Sequence, residues 1–211
     1  MYIDDYNYYN GWYPKATDAE KRLADKVEDL REMFEDFLFK SGTVAYKMAQ
    51  EELIDDAGNV VRKMACDIHP NLELFELKYW PLYVDDEHDC EAYYDDRDKS
   101  IHVYRENIDS DHVILHEMIH AHEDLLCSVP MFYRDNLYWS LYIDLREKIP
   151  NLDNLITANA GLAEATNRYD KGGDHGILFL LKSLDLDLRM GYNLGTVYAY
   201  GKMEEFKGMG Y

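Results

Sequence analysis

The stretch Ile114-Leu-His-Glu-Met-Ile-His-Ala-His122 constrains this chain more than any other. Ile114, Met118, Ala121 and Leu125 recur at four- and three-residue intervals, the repeat that gathers side chains on one face of an α-helix. Leu115, Ile119 and Leu126 widen that face, so the spacing predicts a helix buried on most sides. Into it the sequence sets His116, Glu117 and His120, and polar groups taken out of water cost free energy unless something bonds them. Side chains four apart on a helix lie one turn above each other. His116 and His120 can therefore offer two imidazole nitrogens to one metal ion, with Glu117 beside it. This H-E-x-x-H pattern suits a Zn²⁺ centre, in which the carboxylate takes a proton from water at the metal. The bland alternative is a pair of structural histidines satisfied by hydrogen bonds.

Two histidines leave zinc short of a third protein ligand and an open position. His122, two residues past His120, points away on a continuous helix. His69, His88, His102 and His112 precede the motif without supporting context, and His102 reads as a surface or hydrogen-bonded residue of a strand. Two candidates stay open. Glu164 falls in a helical pattern among Gly161, Ala163 and Ala165, small residues that permit close helix approach, and it would give a two-His-plus-Glu site. His175 falls in Gly172-Gly-Asp-His-Gly-Ile-Leu-Phe179, where glycines free the backbone and an apolar helix would anchor the imidazole. A donor for developing oxyanion charge is also needed. Tyr192, Tyr198, Tyr200 and Arg168 are all eligible.

His116 to Ala121 read H-E-M-I-H-A, and His175-Gly176-Ile177-Leu178-Phe179 reads His-Gly-x-x-Phe. In both motifs the chain resembles the SprT-like zincin metallopeptidases, over roughly residues 82–184. The resemblance implies an α+β, zincin-like fold in which a small antiparallel sheet packs on helices that include the H-E-x-x-H helix. It implies Zn²⁺ held by His116, His120 and His175, Glu117 as general base, and hydrolysis of peptide bonds. The interval between His120 and His175 is long for the family, as if two helices were inserted, and no cysteine-rich zinc ribbon follows.

Charge limits what carries over. The chain has 42 acidic and 22 basic residues, a formal −20, with no Lys/Arg-rich run. Nucleic-acid binding relies on a basic face that displaces counterions from phosphates, so fold and metal chemistry carry over and a DNA-linked role does not. An acidic surface favours cationic peptide or protein substrates. The rival readings are a DNA-associated protease and a non-catalytic zinc-binding interaction protein.

At 211 residues, with 47% apolar and 14% aromatic content, the chain is expected to form a single domain. Residues 1–70 would supply an arm and helices, and residues 71–211 the sheet, the motif helix and the third-ligand region. No run approaches the roughly 18 apolar residues of a membrane span. The start lacks a signal-peptide pattern, and Cys66, Cys90 and Cys127 suit a reducing compartment, so the expected location is cytoplasmic.

In order, a Tyr-rich arm (Tyr2 to Tyr13) precedes Thr17-x-x-Glu20, a capping box. It should open a helix to about Lys40 with its seam at Leu23, Val27, Leu30, Phe34 and Phe37. A second helix is expected at Thr43–Leu53 and a short apolar segment at Val60–Cys66. Tyr79–Val84 reads as a strand, and Ala92–Tyr94 with Ile101–Tyr104 as a hairpin. Asp109 or Ser110 should cap the motif helix. Helices are expected at Arg134–Lys148 and Asp153–Arg168, then one capped by Asp174 that contains His175. Gly195–Gly201 reads as a short strand.

Overall fold

Thr17 and Glu20 form the expected capping box: the Thr17 N–H donates to Glu20 Oε2 at 2.6 Å, and the Glu20 N–H to Thr17 Oγ1 at 3.3 Å. The helix they open, α1, spans Asp18–Leu38. In this computed structural model the described residues are 11–38, 52–54, 60–63, 81–86, 90–127, 131–165 and 175–201. Leu23, Val27 and Leu30 of α1 are buried. The side chains of Phe34 and Phe37 lie outside those described, as does most of the Tyr-rich arm.

Glu52–Ile54 and Val60–Lys63 pair antiparallel as β1 and β2. This corrects the helix expected through Leu53, whose other residues, 43–51, lie outside the described ones. Ile54, Val60 and Val61 are β-branched, stiff at χ1 and at home on a pleated surface, and the pairing overrides the helical spacing.

The main sheet has three strands, β3 (Leu82–Asp85), β4 (Ala92–Asp95) and β5 (Ser100–Tyr104), in the order β3-β5-β4. The β4–β5 hairpin is antiparallel as expected, with Lys99 in the left-handed region at φ 62° and its N–H on the Asp95 carbonyl at 2.9 Å. β3 and β5 run parallel, so the sheet is mixed and not wholly antiparallel. The reason is topological. β5, which buries Ser100, Ile101, Val103 and Tyr104, takes the centre between β3 and β4. β3 and β4 run in opposite directions, so a strand antiparallel to one is parallel to the other.

The motif helix, α2, spans Asp111–Leu126. Ser110 occupies its N-cap without a side-chain bond, and Asp109 pairs instead with Arg22 of α1 at 2.6 Å. Lys26 of α1 holds Asp111 at 2.7 Å, so α1 is tied to the start of α2. Three helices follow: α3 (Met131–Arg146), α4 (Leu152–Ala165) and α5 (Ile177–Met190). His175 sits just before α5 and not within it; Gly176 is the N-cap, and Asp174 lies outside the described residues. Among the described residues no helix is long and apolar enough to cross a membrane.

α5 joins two cores. Phe179 and Leu186 pack with α1, the sheet and the apolar face of α2. Leu180, Leu181 and Leu184 pack with Leu141 and Leu145 of α3 and with Leu152 and Leu155 of α4. Every residue from Phe179 to Asp187 is consequently buried. Gly191, left-handed at φ 71°, ends the helix. The expected strand at 195–201 is instead a run of turns. Gly195 (φ 92°), Tyr200 (φ 49°) and Gly201 (φ 75°) are left-handed, and the chain closes on itself through Ala199 N–H to Gly195 O at 3.0 Å and Gly201 N–H to Thr196 O at 2.8 Å. Val197 and Ala199 point inward from this turn and are buried.

Candidate metal centre

α2 presents His116 and His120 one turn apart, and the chain entering α5 brings His175 to meet them. His116 Nε2 lies 3.1 Å from His120 Nε2 and 3.0 Å from His175 Nε2. The three ligand atoms fall within 4.8 Å of one another. Three nitrogens each bound to one tetrahedral Zn²⁺ at ordinary distances would sit about 3.3 Å apart, so the cluster fits such an ion with little adjustment. His116 Nδ1 is 2.8 Å from the Val197 carbonyl, which can only accept; Nδ1 therefore carries the proton and the Nε2 lone pair faces the cluster.

Protonation favours the same use. Burial, with His120 and His175 close by, holds His116 well below the ordinary imidazole range. Burial and the neighbouring His175 take His120 down to about 3. Both imidazoles are neutral at pH 7, the form that binds a metal. Phe179, fully buried, sets its ring against all three: the centroids are 4.8 Å from His116, 4.7 Å from His120 and 4.4 Å from His175. The aromatic position of His-Gly-x-x-Phe thus supports the whole cluster.

Glu117 is 1% exposed, and burial pushes its carboxyl up to about 7, against hydrogen bonds from the Tyr200 hydroxyl and the Tyr94 backbone that pull it down. Tyr200 stacks on the His116 ring, 3.9 Å between centroids, while its O–H donates to Glu117 Oε1. Burial and the Glu117 charge raise the Tyr200 phenol far above its usual range, so it keeps its proton and serves as a donor.

The other candidates take other partners. His122 is buried away from the cluster, its Nδ1 2.8 Å from Lys182 Nζ. His102 lies between Asp85 (3.0 Å) and Ser100 (2.9 Å) with Tyr93 stacked on it at 4.5 Å. That trio has the order of a serine-hydrolase relay, but Ser100 is fully buried and closed to a substrate. Tyr192 donates to Asp111, and Tyr198 accepts from Asn159. His69, His88, Arg168 and the side chain of Glu164 lie outside those described.

Two supporting residues went unread in the sequence. Asn159 of α4 donates from Nδ2 to the His175 carbonyl at 3.0 Å and to the Tyr198 hydroxyl at 2.7 Å, and Tyr198 in turn lies against His175. Asp187 of α5 accepts the N–H groups of Gly195 and Val197. The one available signal was polar residues inside an apolar helical run, as in Leu184-Asp-Leu-Asp-Leu188. Compared with models of known protein families, with curated proteins and with solved structures, the chain finds no match.

Proposed function

We propose that the chain is a zinc-dependent peptidase of the SprT-like zincin kind. The observation that carries this reading is the convergence of His116, His120 and His175 with Glu117 next to His116 in the same helix. Zn²⁺ held by the three imidazoles would lower the pKa of a water molecule and polarise a scissile carbonyl. Everything else falls to side chains. Glu117 accepts the proton of the attacking water and returns it to the leaving amine. Tyr200, stacked on His116, donates its one O–H to Glu117 and so holds the carboxylate that takes the water proton. The acidic balance of 42 to 22 favours basic peptides, and the cysteine usage suits the cytoplasm.

The test is hydrolysis of a mixture of Lys/Arg-containing peptides by zinc-loaded protein, wild type against Glu117→Gln. The wild type should cleave, and the variant should keep zinc while losing at least about a hundredfold in rate, since an amide cannot take the proton. Equal cleavage by both would refute the mechanism. Zinc bound without cleavage by either would leave a non-catalytic zinc protein.

A further inference from the structure

We infer that Asp187 is the positioning residue of this centre, fixing both the His116 ligand and the Glu117 carboxylate through one turn of backbone. The inference rests on the metal reading above and adds a residue which that reading does not contain. Asp187 is fully buried near the end of α5. Its Oδ2 accepts the Gly195 N–H at 2.6 Å and its Oδ1 the Val197 N–H at 3.0 Å. Its own carbonyl accepts the Tyr192 N–H at 2.8 Å. One residue therefore grips the turn where it leaves the helix and twice more along its length.

What the turn delivers explains the grip. Val197 gives its N–H to Asp187 and its carbonyl to His116 Nδ1 at 2.8 Å, so one peptide segment links the carboxylate to the ligand. A carbonyl accepting from an imidazole fixes its tautomer and ring orientation. Three residues later the same turn presents Tyr200 to Glu117. Tyr200 is left-handed at φ 49°, a conformation a tyrosine holds only when its surroundings impose it. Leu184 and Leu186, just before it on the helix, are fully buried, and a leucine would suit position 187 for packing alone. Burying a carboxylate there is unfavourable unless its oxygens are used, and both are.

The experiment begins with zinc affinity by chelator competition and the visible spectrum of the Co²⁺-substituted protein. Asp187→Asn replaces one acceptor by an NH₂ group facing a backbone N–H, so the turn loses a bond while the volume is unchanged. Zinc affinity should fall about 10- to 100-fold, with a changed Co²⁺ spectrum. Asp185→Asn is the control on the same helix: Asp185 is equally buried, but its partner is Arg189 at 2.9 Å. That variant should lose stability yet hold zinc within about twofold of wild type. Asp187→Asn within twofold of wild type, or the two variants falling alike, would overturn the inference and leave the zinc reading intact. A wild type that takes no zinc would overturn both. If Asp187→Asn does not fold, amide exchange in the wild type decides. By reciprocity zinc should slow exchange at Val197 and Gly195, and unchanged rates in a zinc-bound chain would overturn it.

Discussion

At Glu117, burial opposes ionisation, and the conflict is measurable as a pH dependence. The folded carboxyl is raised from 4.5 to about 7 in a site that is 1% exposed, with desolvation the leading cause. Between those values the fold holds a proton that the unfolded chain has released. Above 7 the fold carries a buried charge whose penalty is on the order of 3 kcal/mol, and below about 4.5 that penalty vanishes. Glu117→Gln has no charge to bury. Metal-free Glu117→Gln should therefore be more stable than wild type by about 2 kcal/mol at pH 8, less than the full penalty because one acceptor is lost. The gap should close as the pH falls toward 4.5, as read by urea unfolding. A gap of the same size at both pH values would contradict the buried-charge account. His116 and His120 act in the opposite direction: with folded values depressed, the stability they contribute is intact above about 6.5 and is lost as the pH falls below it, for His120 down to about 3. Residues of this kind were legible because imidazole at helical spacing declares its chemistry in letters. Asp187 and Asn159 were not, because their partners are backbone N–H and C=O groups, which every residue has and no sequence distinguishes.

At the scale of elements, α3 and α4 fill the long interval between His120 and His175 and build the second core against α5. α4 also reaches the histidine cluster, since it carries Asn159, whose Nδ2 holds the His175 carbonyl. Asn159→Ala should lower zinc affinity about tenfold by freeing the third ligand's backbone, with far-UV dichroism unchanged. Unaltered affinity would confine Asn159 to packing. The helices were readable because 3.6-residue periodicity survives in the letters, from the Thr17 capping box to the apolar run of α5. Pairing was not. The parallel register of β3 with β5 follows from β5 entering between two strands already laid down, a fact of topology. Positions 195–201 alternate like a strand, yet left-handed Gly195, Tyr200 and Gly201 and the grip of Asp187 coil them into turns.

For the whole molecule, the formal charge of −20 is what the proposed preference for cationic peptides rests on. Such a field attracts cationic chains over about a Debye length and weakens as salt shortens that length. Cleavage of a Lys-rich peptide should show a KM that rises with added NaCl while kcat stays nearly constant. A salt-insensitive KM would mean that the charge plays no part in substrate binding. Composition carries the charge balance but no information on where the acidic residues gather. The central claim is that three imidazoles, two from α2 and one from the entrance to α5, hold a single zinc ion. Titration of metal-free protein with Zn²⁺ against a chromophoric chelator tests it most directly. About one tightly held zinc per chain is expected, retained by Glu164→Ala and lost by His175→Ala. No zinc bound by the wild type, or equal binding by His175→Ala, would contradict it.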